Sequence, residues 1–423
     1  MIAFTLFVTL IILIALGAPI AIALVVGSSV ALAFLLHLPL EVIAQRICSP
    51  ALSVPLLAIP FFMLAGEIMT AIGVSEKLVA VARIFVGWVR GGLGHIAILT
   101  CTFFAGISGS GAADTAAVAA VMIPQMKKSG YEHGFSGALI AAAGALGVII
   151  PPSILMIIYG SLAEVSIGDL FIAGIAPGIL ISLTLIIYTS WSAKNKVIET
   201  NIQIGDGKFS ALMIILDGLP ALLAPAIIVG GIYTGAFTPT ESAIVAAGYA
   251  IMLGLIYRKL SFRMMLKCTR HATQMTAATM FVIMASDYFG WIAAYDLIPQ
   301  SIGTLLIAIS KNPYIIMLLL NILLLIVGTF FNTAAAIIIF TPIFVPALTE
   351  IGINLIYFGV VMVVNLAIGL ITPPLGIDLF IVSGAGRINT NDIMEAVFPF
   401  IVILILDLAL ITYVPLIFGW GLT

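Results

Sequence analysis

The stretch "GALGVIIPPSILM" (residues 144–156) decides the fold, and "NLAIGLITPPLGIDLF" (residues 365–380) repeats its pattern. Each sets two prolines inside an apolar run that otherwise has the length of a membrane helix. The two proline pairs lie 222 positions apart. Proline removes a backbone donor and disfavours helix at the residue before it. A Pro-Pro pair preceded by glycine therefore unwinds a short stretch. Inside a bilayer, unwound backbone is tolerated only where it is buried in protein or lines a wet cavity.

The surrounding composition makes the bilayer the only reasonable solvent. Of 423 residues, 63% are hydrophobic and 8% charged, with mean hydropathy +1.30; soluble domains carry about a quarter charged residues. The apolar runs are long and continuous, which argues against the alternating pattern of a β-barrel. The net charge of −2 comes with no basic patch carrying interleaved aromatics, so nucleic acid is not an expected partner. Cys48, Cys101 and Cys268 are far apart and lack metal-ligand spacing. His37, His95, His133 and His271 are scattered near the ends of apolar runs. An integral-membrane enzyme would need a metal cluster, a nucleophile with its base or an acid–base pair within reach, and nothing here supplies one. The chain is not expected to be an enzyme. The opening "MIAFTLFVTLIILIALGAPIAIALVVG" has no charged n-region and is expected to be a retained span.

With about 20 apolar residues per crossing, spans are expected near 2–18, 19–36, 50–72, 132–164, 169–191, 211–232, 238–257, 272–294, 353–384 and 393–419. Two further runs, 95–127 and 313–350, carry small or polar patches at mid-length, "SGSGAADT" (108–115) and "NTAA" (332–335). They are expected to be re-entrant hairpins. Charge tests this, because cytoplasmic loops concentrate Lys and Arg. With both runs re-entrant, Lys77, Arg83, Arg90, Lys127, Lys128, Lys194, Lys196, Lys208, Arg258, Lys259, Arg263, Lys267, Arg270 and Arg387 share one side, and only Arg46 and Lys311 fall opposite. Single crossings would scatter the later clusters. The same bias places both termini outside, in the periplasm of a bacterial inner membrane. Segments 73–94 and 296–312 mix charged and apolar residues and are expected to be interfacial amphipathic arms.

Superposing the halves at a shift of 222 aligns Gly106 with Gly328, Pro124 with Pro346, Gly130 with Gly352, Gly147 with Gly369, Pro151 and Pro152 with Pro373 and Pro374, and Pro177 with Pro399. A shift of 220 extends this upstream, aligning Pro19 with Pro239 and Glu67 with Asp287. An odd number of crossings between the hairpins makes the repeat inverted, as in many secondary transporters. The expected fold is an all-α polytopic membrane protein with an inverted-topology repeat, two re-entrant hairpins and two Pro-Pro-broken helices. Its expected parts are a first scaffold unit with its arm (1–94), a first transport half (95–192), a polar linker (193–210), a second scaffold unit with its arm (211–312) and a second transport half (313–423).

Free carbonyls at an unwound break are good ligands for Na⁺, and half-helix N-termini favour anions. Two cation sites are expected. The first groups Ser108, Ser110 and Gly111 of the first hairpin with Gly147 and Pro151. The second groups Gly328 and Asn332 of the second hairpin with Gly369 and Thr372. Candidate substrate contacts are Ser108, Ser110, Asp114, Ser153, Asn332 and Asp378, since ionisable or hydroxyl groups inside a span are functional candidates. Structural duty competes in each case: small residues pack helices, and Glu67, Asp287 and Glu241 are expected to pair or cap.

"FFAGISGSGAADTAAVAAVMIPQMKKSGY", "LGVIIPPSILMIIYGSLAEVSIGDLFIAGIAPG" and "GLITPPLGIDLF" resemble the large membrane subunit of tripartite ATP-independent periplasmic (TRAP) transporters over essentially the whole chain. The resemblance implies a Na⁺-coupled elevator importer using two or more Na⁺. It also implies a separate small four-helix membrane subunit and a periplasmic substrate-binding protein that delivers an organic acid. It carries over the same sodium-site candidates as the residues themselves. Ser108, Ser110 and Asp114 together resemble the sialic acid branch, with C4-dicarboxylates next. The sequence departs at Asn332, where many members carry aspartate. The competing reading is a self-sufficient divalent-anion/Na⁺ symporter that needs no binding protein.

Overall fold

The computed structural model describes residues 2–33, 41–89, 91–194, 208–310 and 312–422. The first repeat begins with α1 (Ile2–Ala15), α2 (Ile20–Ala31) and α3 (Glu41–Cys48), then short 3₁₀ turns lead into α4 (Ala58–Ala71) and α5 (Val74–Val86). Its hairpin is α6 (Gly92–Ser108) and α7 (Gly111–Lys128). Its broken helix is α8 (His133–Gly144), a 3₁₀ turn (Ala145–Val148) and α9 (Ile154–Leu162). The unit closes with α10 (Ile167–Lys194). The second repeat holds α11 (Lys208–Tyr233), α12 (Pro239–Ile256), α13 (Phe262–Tyr295) and α14 (Ile298–Ile309). Its hairpin is α15 (Pro313–Phe330) and α16 (Thr333–Ile351), its broken helix α17 (Leu355–Gly369) and α18 (Ile377–Gly386), and it ends in α19 (Thr390–Ile417).

The fold is all-α and membrane-spanning. Eight helices, among the described residues, are long and apolar enough to cross a bilayer: the segment Val54–Ala71, α10, α11, α12, α13, α15, α16 and α19. The helical parts of the two breaks are shorter, as half-crossings must be. Shifted by 222, the bounds of α6 to α10 fall within about three residues of those of α15 to α19, so the proline register is a register of whole elements. The polar segment at 193–210 lies largely outside the described residues, as do Arg90, Lys196 and Lys311.

Two elements depart from expectation. The span expected at 272–294 is a 34-residue helix, Phe262–Tyr295. Its first turns carry Arg263, Lys267 and Arg270, which lower hydropathy without breaking helix; Ser261 starts it by accepting the Met264 N–H at 3.2 Å. In the first repeat the matching chain is divided into α3, a 3₁₀ stretch with Pro50 and Pro55, and α4. Those prolines interrupt what α13 leaves continuous. Helix α3, eight residues with Glu41 and Arg46, was hidden because it is too short and too polar to look like a span.

The broken helices form the centre. Every residue from Gly134 to Gly144 is buried, and so is every residue from Tyr357 to Gly369. Helix α9 packs on α16, and α18 packs on α7 and α8. The second half of each broken helix thus lies against the hairpin of the other repeat, which interlocks the two hairpins and two breaks. Helices α12 and α13 both pack on α4, and α13 also contacts α2 and α3. Large apolar side chains left on the outside, such as Leu183, Ile187 and Trp191 on α10 and Val402 and Leu406 on α19, face where acyl chains belong.

Candidate functional site

The tip of the first hairpin is built by three residues. Helix α6 stops at Ser108 because Gly109 turns left-handed (φ +64°), a conformation open to glycine at no steric cost. Ser110 then caps α7, its hydroxyl accepting the Ala113 N–H at 3.5 Å. The Ser108 hydroxyl accepts the Ser110 N–H at 3.1 Å and donates to Asp114 Oδ1. The tip is thus tied to the first turn of α7 by its own side chains.

The broken helix meets this tip closely. Pro151 and Pro152 are joined by a cis peptide, as are Pro373 and Pro374. The Ile154 N–H, at the start of α9, donates to the Gly109 carbonyl at 3.3 Å. A Cβ on Gly111 would stand 3.1 Å from the Gly144 carbonyl oxygen, and one on Gly109 2.6 Å from the Pro152 carbonyl oxygen. A Cβ on Gly147 would strike Asp114 Oδ2 and stand 2.9 Å from the Gly111 Cα. Ser108, Ser110, Gly111, Gly147 and Pro151, the first set expected from sequence, therefore share one small region.

Ser153 spans the break. Its hydroxyl donates to the Val148 carbonyl at 2.5 Å and accepts the Met156 N–H at 3.3 Å, and the residue is fully buried. This is a capping role on both edges of the unwound stretch. We expect Ser153→Ala to lower stability by about 1–2 kcal/mol, read as an earlier thermal transition of the purified protein.

The second hairpin and break are simpler. A Cβ on Gly369 would stand 2.5 and 2.8 Å from the carbonyl carbon and Cα of Gly328, and closer still to its oxygen. Gly328 and Gly369 are therefore in backbone contact. Thr372 donates its N–H to the Gly369 carbonyl at 3.2 Å and its hydroxyl to the Ile368 carbonyl at 2.7 Å. Asn332 is exposed and caps α16, accepting the Ala334 N–H at 3.0 Å.

Asp114 and Asp378 come from different repeats and meet behind the first hairpin, close enough to interact electrostatically. Both are fully buried. Asp114 Oδ2 and both Asp378 carboxylate oxygens have no hydrogen-bond partner among the described residues, and neither has the Thr115 hydroxyl. Thr115 lies beside Asp378 without reaching hydrogen-bond geometry, and against Gly144, whose added Cβ would overlap its hydroxyl.

A cavity of about 490 Å³ opens at the tip, between α7 on one side and α4 and α13 on the other. Ser108, Ser110 and the small residues Ala112, Ala113, Ala116 and Ala117 line one wall; Gly66, Glu67, Thr70, His271 and Met275 line the other. Of the six expected substrate contacts, Ser108 and Ser110 line this cavity. Asp114, Ser153, Asp378 and Asn332 do not. His271 Nδ1 lies 2.8 Å from Glu67 Oε1, a pair that sequence reasoning missed. Ending the span at residue 272 left His271 in a loop; with α13 extended it faces a transmembrane acid. Asp407, buried and accepting from the Thr184 hydroxyl at 2.6 Å, was missed too, inside a run read only for hydropathy.

Paired hairpins, paired broken helices and a cavity at a hairpin tip define a membrane transporter made of two repeats, not an enzyme. The chain belongs to the TRAP transporter family: residues 7–417 match the "Tripartite ATP-independent periplasmic transporter, DctM component", its large permease. It is 40% identical to the C4-dicarboxylate TRAP transporter large permease protein DctM of Pseudomonas aeruginosa, over 92% of this chain and 91% of that one. It is 35% identical to the sialic acid TRAP transporter large permease protein SiaM of Vibrio cholerae, over 94% and 93%. It is 39% identical to the isethionate TRAP transporter permease protein DctMQ of Oleidesulfovibrio alaskensis, covering 94% of this chain and 63% of that longer protein. Its fold resembles the YdaH transporter of Alcanivorax borkumensis, with TM-score 0.66 and 15% identity over 90% of this chain and 88% of that one.

Proposed function

We propose that the chain imports an organic acid by Na⁺-coupled, elevator-type transport across a bacterial inner membrane, with both termini periplasmic. A small four-helix membrane subunit completes the permease, and a periplasmic binding protein delivers the substrate. The observation that carries the reading is the interlock of the two hairpins with the opposite broken helices. It makes one body of both expected Na⁺ sites, able to move against the α4–α12–α13 layer without breaking either. Na⁺ suits the breaks because carbonyls and hydroxyls, with no ligating imidazole or thiol among them, are hard oxygen ligands.

The substrate is an organic anion. The names of the relatives give isethionate, a C4-dicarboxylate and sialic acid, which share a carboxylate or sulfonate and little else. A cavity of about 490 Å³ is of the size that holds small organic molecules. Ser108 and Ser110 on its wall support sialic acid as the first candidate. Asp114, the third support for that branch, sits behind the wall with its Oδ1 engaged by Ser108.

The test is uptake into proteoliposomes holding this chain and its small subunit. Radiolabelled sialic acid, succinate and isethionate are offered with and without an inward Na⁺ gradient and the binding protein. The expected result is uptake of one acid that requires both. Uptake requiring Na⁺ alone would establish the self-sufficient symporter instead. Uptake unaffected by Na⁺ would remove the coupling.

A further inference from the structure

The central cavity has one basic side chain on its wall, His271. Its imidazole is held by Glu67 at 2.8 Å. A second cavity, of about 570 Å³, adjoins it. The two share Glu67, Thr70 and His271 as lining residues, so the pair stands where they meet. The second cavity adds Lys267, Arg270 and Gln274 from α13. Lys267 and Arg270 are exposed, and neither takes part in an ion pair found among the described residues.

We infer that the Lys267–Arg270 cavity is an anion-binding vestibule, and that Glu67–His271 is an exchangeable partition between it and the hairpin cavity. A carboxylate or sulfonate crossing the partition takes the His271 N–H from Glu67, and Glu67 reclaims it once the anion has passed. This rests on the reading of the chain as an organic-anion carrier and adds to it where the anion is held on the α13 side.

Three features favour this over a simple structural pair. First, the pair is half-open to solvent: the side chains keep 56% (His271) and 33% (Glu67) of their exposure. A pair so placed contributes little to stability. Second, the hairpin wall offers an anion hydroxyls and no cation, so His271 at the pair is the one basic side chain lining that cavity. Third, the second repeat also sets an acid near a base at the equivalent place. Glu67 aligns with Asp287, and Asp287 lies within electrostatic reach of Arg46, whose guanidinium sits 4.8 Å from the centroid of the Trp291 ring. In both halves a helix-borne acid of one repeat meets a base from the leading segment of the other.

The test reads local potential and needs no transport. Cys48 is exposed, whereas Cys101 and Cys268 are buried. In a Cys48→Ser, Cys268→Ala background, Thr70→Cys puts a thiol on the lining shared by both cavities. Its rates with an anionic and a cationic methanethiosulfonate reagent are compared in the purified permease. The anionic-to-cationic rate ratio should fall about tenfold on Lys267→Gln with Arg270→Gln, as expected for a cleft focused by one sign of charge. Glu67→Gln should raise the ratio, and should raise it less in a His271→Gln background, where no freed N–H remains to hold an anion. An unchanged ratio in the Lys267/Arg270 variant would overturn the vestibule. A Glu67→Gln effect of the same size with and without His271 would overturn the partition and leave a structural pair. If the ratios behave as expected but no acid is transported, the vestibule stands and the import reading fails.

Discussion

Replacing Gly369 with alanine should reduce Na⁺-dependent uptake about a hundredfold and destabilise the protein by about 3 kcal/mol. The new methyl would meet the backbone of Gly328, near the tip of the second hairpin, and not the movable end of a side chain. Overpacking in a well-filled interior costs about 1–3 kcal/mol even when side chains can shift. Here α15 itself has to move away from α17. A displacement of about 1 Å in a binding constellation is enough for a loss of two orders of magnitude. Gly147→Ala provides the graded comparison. Its methyl meets the Asp114 carboxylate first and one backbone atom, the Gly111 Cα, at 2.9 Å, whereas the Gly369 methyl meets three backbone atoms of Gly328 at 2.8 Å or closer, so its effect should be smaller. Gly248→Ala on α12 is the control, because nothing lies within 4 Å of the added atom and alanine is the better helix former. Thermal unfolding and proteoliposome uptake, measured together, separate a displaced hairpin from an unfolded protein. Wild-type uptake by Gly369→Ala would mean that the two glycines need not touch during transport.

That contact shows which parts of the molecule were legible in the sequence. Proline positions are rigid markers, because proline cannot sit unnoticed in a helix interior. Their register therefore located both breaks and, through the 222 shift, the elements around them. Glycines at equivalent positions of the two repeats could be aligned in the same way. Hydropathy was less reliable wherever charge and helix coexist: α13 runs ten residues further toward its N-terminus than the apolar window suggested, and α3 fell outside any window. The direction of side chains was not legible. Asp114, Ser153 and Asp378 occur in the motifs where a ligand contact is expected, yet the folded chain turns all three away from the cavity. Ser153 is taken up by Val148 and Met156, and Asp114 by Ser108. A motif states which groups are near a break, whereas burial and competing hydrogen bonds decide which of them reach solvent.

Neutralising Asp378 should produce a protein that is more stable without Na⁺ and less responsive to it. The carboxylate is fully buried beside that of Asp114, and neither of its oxygens has a hydrogen-bond partner among the described residues. Burying one unpaired ion costs several kcal/mol even after relaxation, and a second like charge nearby adds to that. A cation bound between the two carboxylates would offset that cost. The Thr115 hydroxyl and the carbonyl-rich break around Gly144 and Gly147 supply the remaining hard oxygens within the same few ångströms. Asp378→Asn keeps the shape and removes the charge. Wild-type protein should gain about 2–3 kcal/mol as Na⁺ rises to a hundredfold over its dissociation constant, with K⁺ or choline as the control. Asp378→Asn should start about 2 kcal/mol higher in Na⁺-free buffer and lose most of that Na⁺-dependent gain. If the variant were destabilised and kept the full Na⁺ response, the carboxylate would be a packing element, and the Na⁺ response would have to come from the backbone sites at the two breaks alone. If both responses move as expected, a charge on the second repeat governs an ion held behind the hairpin of the first. Binding Na⁺ would then tighten the packing of α18 on α7, which joins the two repeats.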